Sequence, residues 1–326
     1  MVVPLKTARS FAQAFSRLGA TVTIVGPSLL RGDEPEAGEA LGRVLEKEGV
    51  RHVRAVADAV AAIPIPSSNL VTNSNAGGSN VAAAANMHKL VCIASDGAVV
   101  EVEGDVLLVA TGRRPSVAGL RLEAAGIEIE PRSGGIKVDA KLRTTSTGRV
   151  PVYAAGDCTG DRQFTHYAGF QGAIAARNAL LPLSDEGTLT SVPGCTFTAP
   201  EVARVGLTEA EATAELGAAK VRVVRRPLSK VDRAIAEGEE EGFIKVVCRA
   251  SDLKILGATV VAPGAGEIIS EFAVAIDRKL KLPALATIMH VYPAISIAVQ
   301  QLAAEVYYES LEASMPLYNV LGKLGL

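Results

Sequence analysis

The stretch that most constrains this chain is Val150-Pro151-Val152-Tyr153-Ala154-Ala155-Gly156-Asp157-Cys158-Thr159-Gly160. Its apolar start is too short for a helix and reads as a buried strand of a parallel sheet. Gly156, at the strand end, lets a bulky ligand come close to the backbone. Asp157 puts a carboxylate at the carboxyl edge of the sheet, where open α/β sheets bind their ligands. Such a group suits sugar-like hydroxyls better than phosphate. Thr165 then opens a segment with Tyr167, Phe170 and Ile174 at helical spacing. Its amino end offers free N–H groups and a partial positive charge. Strand, Gly-Asp and helix start together describe a site for a large polar ligand; the competing reading is an ordinary strand-turn-helix with a surface Asp.

The totals bound the partners. With 326 residues the chain has room for two or three domains. A net charge of −2 gives no basic excess for nucleic acid, and no run reaches the roughly 18 apolar residues of a membrane span. Cys92, Cys158, Cys195 and Cys248 lie far apart, without CxxC or metal-ligand spacing. They read as reduced thiols of an intracellular, cytoplasmic protein. The first 32 residues carry Lys6, Arg9, Arg17 and Arg31 and no acid, with Phe11, Phe15 and Leu18 on one helical face. An organelle transit peptide has this texture; the preferred reading is the first helix and second strand of a Rossmann unit.

In chain order, residues 7–19 read as an amphipathic helix, 21–25 as a strand, and 36–48 as a second helix with Leu41, Val44 and Leu45 inward. This is half of a mononucleotide-binding unit. The place where GxGxxG would cradle a pyrophosphate holds Val3-Pro4-Leu5-Lys6-Thr7-Ala8, and Gly26-Pro27-Ser28 follows the strand where an acid would take the ribose hydroxyls. Residues 62–88, rich in Asn, Ser, Gly and Ala, read as an irregular insertion. A hairpin over 89–102 turns at Asp96-Gly97, and 105–110 reads as a buried strand stopping at Thr111-Gly112. Residues 181–192 are a polar hinge. Beyond it, strands at 195–198, 201–205, 221–225, 242–249 and 255–262 and helices at 266–280, from Pro283, and at 295–308 describe an α+β unit. Thr208 and Glu211 predict a capping box.

Several separated stretches together resemble the flavin-dependent pyridine nucleotide–disulfide oxidoreductases, the family of dihydrolipoamide dehydrogenase, glutathione reductase and mercuric reductase. They are Ala110-Thr111-Gly112-Arg113-Arg114-Pro115, Tyr153-Ala154-Ala155-Gly156-Asp157, Phe197-Thr198-Ala199-Pro200-Glu201, Asp232-Arg233-Ala234-Ile235-Ala236-Glu237-Gly238, Gly242-Phe243-Ile244-Lys245 and His290-Val291-Tyr292-Pro293. The resemblance implies an α/β chain built from remnants of Rossmann-like NAD(P) and FAD domains followed by an α+β dimerisation domain. Residues 1–112 correspond to the NAD(P) part, 113–189 to the second half of the FAD domain, and 190–326 to the dimerisation domain, with homodimer contacts through 190–320. Asp157, with Gly156 and Gly112 as close-approach points, then bonds the flavin ribityl chain. The backbone of Thr165, His166 and Ala168 lies under the flavin pyrimidine.

Three departures from the family qualify that expectation. The glycine-rich loop for the FAD pyrophosphate and the CxxxxC redox pair are absent, so only half an FAD site is expected and NAD(P)H binding is doubtful. Tyr292 stands where the family has its catalytic His, and Ile297 where it has the orienting Glu; His290 matches the family's first His, which is not the base. A phenol, titrating near 10, is a poor base at neutral pH. The reading is an FAD-linked oxidoreductase, NAD(P)H to flavin to disulfide or metal ion, N-terminally truncated and without disulfide-reductase turnover. The alternatives are a catalytically silent dimerising scaffold and a truncated gene product.

Overall fold

The computed structural model describes residues 6–64, 86–182 and 184–323. The first unit consists of α1 (Lys6–Arg17), β1 (Thr23–Val25), α2 (Pro35–Lys47) and β2 (Arg51–Val53). β1 and β2 pair in parallel, Thr23 opposite Arg51 and Val25 opposite Val53, and α2 is the crossover that a parallel pair needs. Leu41 and Leu45 point inward as their spacing predicts, beside Ala37 and Ala40. The apolar stripe of α1 does the reverse: Phe11, Phe15 and Leu18 are exposed, while Ala8, Arg9, Ala12 and Gln13 are buried. The Gln13 amide explains part of this. Its Nε2 donates to the Ala199 carbonyl at 2.7 Å and its Oε1 accepts from the Ala199 N–H at 2.8 Å, so the polar face goes in with its hydrogen bonds made.

A three-stranded antiparallel meander follows, with β3 (Ala55–Pro64), β4 (Asn86–Ala94) and β5 (Val99–Gly104) in that order. Its β4–β5 turn falls at Asp96-Gly97 as predicted, with the Ala98 N–H held by Asp96 Oδ1 at 3.0 Å. The insertion expected over 62–88 is narrower than its composition suggests. Ile63 pairs with Met87 and Pro64 with Asn86; residues 65–85 lie outside the described residues.

Two predicted buried strands are not strands. In 105–110, Val106 and Val109 are exposed; in 150–155, Val150 and Val152 are exposed and only Tyr153 makes a bridge, to Arg143. An apolar run becomes a central strand only when ladders form on both sides of it. Among the described residues neither run is flanked by such ladders. After the second run the chain makes a 3₁₀ turn at Gly156–Thr159 and then α3 (Thr165–Leu180), whose start is where the sequence placed it.

The C-terminal unit comprises β6 (Gly194–Thr196), β7 (Glu201–Gly206), α4 (Glu209–Leu216), β8 (Val221–Pro227), α5 (Asp232–Glu237), β9 (Phe243–Arg249), β10 (Ile255–Ala262), α6 (Ala265–Asp277) and α7 (Ile297–Lys323). Its strands form one antiparallel sheet in the order β6-β7-β10-β9-β8. Alternate residues of β9 serve two faces. Ile244, Val246 and Cys248 join Phe272 of α6 and Val299, Leu302 and Val306 of α7 in one core. Phe243, on the opposite face, joins Val202 and Val261 against Ile24 and Leu41 of the first unit. The sheet is thus covered by helices on one side and by the first unit on the other.

Candidate functional site

The amino end of α3 is organised by Gly156. Its φ of +79° lies in the left-handed region, and a Cβ there would sit 2.8 Å from the Ala168 Cβ. Only glycine allows the 3₁₀ turn to lie this close to the helix. The Gly156 N–H is received by Gln171 Oε1 at 2.8 Å, and Gln171 Nε2 donates to the Gly187 carbonyl. Asp157 follows with its side chain exposed. Tyr167 is buried beneath the helix start, its hydroxyl donating to Asp161 Oδ2 at 2.9 Å and accepting from the Leu189 N–H. Burial and the Asp161 carboxylate both hold that phenol's pKa above its ordinary value.

The first-turn N–H groups of α3 have no acceptors within the helix. The Phe164 N-cap supplies no side-chain oxygen, so these donors and the helix dipole are offered outward. They open into a cleft of about 990 Å³ between α3, β6 and the start of α6, lined by Arg113, Thr165, His166, Cys195, Glu201 and Ser270 among others. The His166 ring stacks on Phe164, centroids 5.2 Å apart, and its Nε2 lies 2.8 Å from the Pro193 carbonyl. Turned back in this way, the ring fixes the wall while its backbone stays at the helix start. Glu201 Oε2 accepts the Gly266 N–H at 2.8 Å at the beginning of α6 and the Cys195 thiol at 3.9 Å. One cleft therefore meets two helix starts, one guanidinium and an apolar floor.

Of the residues singled out from sequence, Thr165 and His166 line this cleft, Gly156 and Ala168 touch one another behind it, and Gly112 adjoins Arg113 on its rim. Tyr292 and His290 do not line it. The Tyr292 hydroxyl, on an exposed ring, donates to Asp232 Oδ2 at 3.0 Å, and that carboxylate raises the phenol's pKa. His290 has its Nδ1 2.9 Å from the Ile288 carbonyl and its Nε2 3.1 Å from Glu271, which makes the ring a strut. Cys158 Sγ lies 3.2 Å from the Ala155 carbonyl. Cys195, Glu201 and Arg113 were not picked out as site residues. They lie 30 residues or more from Thr165 in sequence or carry side chains common on surfaces, so only the fold brings them together.

Matches to family models cover most of the chain. Residues 7–172 match the pyridine nucleotide-disulphide oxidoreductase family, and residues 192–303 match its dimerisation domain. A mercuric reductase of Bacillus cereus is 36% identical over 86% of the chain and 40% of its own length. A dihydrolipoyl dehydrogenase of Thermus scotoductus is 34% identical over 92% of the chain and 59% of its own length. LpdA of Mycobacterium tuberculosis superposes with a TM-score of 0.75 at 30% identity, covering 94% of the chain and 60% of that structure. The chain thus spans 40% to 60% of the length of these relatives.

Proposed function

The chain belongs to the pyridine nucleotide–disulphide oxidoreductase family, and from that premise we propose that it is part of an FAD-linked oxidoreductase passing electrons from NAD(P)H through flavin to a disulfide or a metal ion. The observation that carries this reading is the cleft at the start of α3. In this reading residues 1–112 are the NAD(P)-type part, 113–189 the second half of the flavin domain and 190–326 the dimerisation domain of a homodimer. No helix among the described residues is long and apolar enough to cross a membrane.

FAD fits the residues on one side. Gly156 lets the 3₁₀ turn pack directly on Ala168 at the start of α3, and Asp157, the next residue, is exposed as a hydroxyl acceptor outside the cleft lining. Thr165 and His166 present backbone donors that favour negative charge on a ring system lying against them. Bound flavin supplies the two-electron store between donor and acceptor. The chain's residues orient it: Asp157 holds the ribityl hydroxyls, the first turn of α3 holds the pyrimidine edge, and Arg113 adds positive charge at the mouth. These residues account for the ribityl and pyrimidine side of such a site. NAD(P)H fits the first unit less well, because Gly26-Pro27-Ser28 follows β1 without an acid and Arg9 is buried in the first turn of α1, so its binding here is weak.

The test is direct. The purified chain, loaded with FAD and passed through a desalting column, retains visible flavin bands in this reading, and Asp157→Ala loses most of them. A colourless wild-type protein overturns it. A second reading, a dimerising scaffold without turnover, is favoured by Tyr292, whose hydroxyl is engaged by Asp232 rather than available as a base. A dimer by light scattering that holds no flavin would select it.

A further inference from the structure

The seam between the first unit and the C-terminal sheet contains a buried cation held by carboxylates from both sides. Lys245 sits on the β9 face that meets the first unit, and its side chain is 2% exposed. Its Nζ is 2.9 Å from Glu34 Oε2, 2.8 Å from Glu36 Oε1 and 2.8 Å from Glu209 Oε2. Glu34 is the N-cap of α2, Glu36 is in the first turn of α2, and Glu209 opens α4. The other Glu34 oxygen accepts the Glu209 N–H at 2.8 Å. Two helices from different units therefore begin at one point, and one ammonium bonds one oxygen of each of three carboxylates there.

The surrounding acids and bases balance in number. Asp33 lies beside Glu34, and Arg204 of β7 is 3.6 Å from Asp33, bonds the Gly32 carbonyl, and is 3.8 Å from Glu211 of α4. Arg225 of β8 lies over the Phe243 ring and acts on Glu36, and Arg9 of α1 acts on Asp33. Five carboxylates, those of Asp33, Glu34, Glu36, Glu209 and Glu211, face five cations: Lys245, Arg204, Arg225, Arg9 and, acting on Glu211, Arg162. Only Lys245 touches three of the acids.

The apolar packing is unequal. The core behind β9 draws only on residues 203–306, whereas the core shared across the seam draws three residues from the C-terminal sheet, Val202, Phe243 and Val261. The C-terminal unit has a core of its own behind β9, whereas the first unit's cluster is completed by three residues of the sheet, with Val25 and Val53 packing on the meander.

We propose that Lys245 is the key of an interdomain latch: its charge holds the first unit on the C-terminal sheet, and acid releases that unit while the sheet stays folded. Burial of an ion is repaid only when its partners are complete, and removing one partner of such a set is far costlier than losing an exposed pair. The titration runs in the matching direction. Burial would lower the Lys245 pKa, but the bonds from Glu209, Glu36 and Glu34 outweigh it and raise it. Burial would raise the Glu36 pKa, but the Lys245 bond, a backbone N–H bond and the charges of Lys245 and Arg225 together outweigh it and lower it. A carboxylate with a lowered folded pKa stabilises fully above its unfolded value and loses that stabilisation as pH falls through the folded one. The latch is therefore closed at neutral pH and opens in acid.

Hydrogen exchange of the full chain, expressed as protection factors against free peptide at the same pH, tests this. In Lys245→Met at pH 7, protection over β1, α2 and β2 falls on the order of a hundredfold, while β9 and β10 keep theirs. Wild type at about pH 4 shows the same pattern in milder form. Glu36→Gln keeps two carboxylates and an amide oxygen on Lys245, so at pH 7 its first unit loses part of its protection, less than in Lys245→Met, and it loses less further protection on acidification than wild type. Should Lys245→Met fail to fold, the pH series on wild type and Glu36→Gln still decides. Uniform loss of protection across both units, or an unchanged acid response in Glu36→Gln, overturns the latch.

Discussion

At the scale of single residues, Gly156 shows how one side chain, or its absence, sets the candidate site. The 3₁₀ turn and α3 touch through Gly156 and Ala168, and the backbone there has a positive φ. Gly156→Ala must both strain the backbone and push the helix start away, at a cost of about 2 kcal/mol in denaturant melts. Gly169, four residues into α3, meets nothing within 4 Å of an added Cβ. There Gly169→Ala leaves stability unchanged or gains about 0.5 kcal/mol. If the two variants melt alike, the close approach at Gly156 is not what holds the site. Tyr292 makes the opposite point: its phenol, hydrogen-bonded to Asp232, stays protonated at neutral pH and cannot serve there as the family's imidazole does.

At the scale of elements, the most legible signals were those that pair a local rule with a local structure. Thr208 accepts the Glu211 N–H while Glu211 Oε2 accepts the Thr208 N–H, the predicted capping box of α4. Thr208→Ala removes one of these bonds and costs about 1 kcal/mol, read as a lower thermal midpoint; no change in the midpoint would show that α4 is held by the seam alone. β10 falls over 255–262 as read, because Ser251-Asp252 marks the preceding turn. The start of α3 was legible in the same way, so one wall of the cleft was foreseen. The other wall was not. Glu201 and Cys195 reach the cleft through sheet register, which no short window of sequence encodes. The apolar runs at 105–110 and 150–155 misled because strand formation depends on partners, and composition does not say whether partners are present. In α1, the Gln13–Ala199 bonds turned a polar face inward against the apolar periodicity.

At the scale of the molecule, two groups of exposed apolar side chains among the described residues have different occupants in the proposed reading. One surrounds the end of the C-terminal unit: Met289 is 92% exposed, Val291 76% and Tyr292 62%, next to Ile288. The other includes Val150 and Val152, in the part read as half of a flavin domain. Contiguous apolar surface of this kind marks association. The first surface lies within the match to a dimerisation domain, and in the proposed reading the second copy of the chain covers it. Light scattering is expected to give a homodimer. A charge placed at the centre of such an interface is desolvated without a partner, so Val291→Asp should weaken the dimer by at least about thirtyfold with an unchanged far-ultraviolet circular dichroism spectrum. Val150→Lys, on the other surface, should leave the dimer intact. A wild-type monomer would remove the homodimer from the proposal, and a dimer lost equally in both variants would place the contact on the flavin-side surface instead.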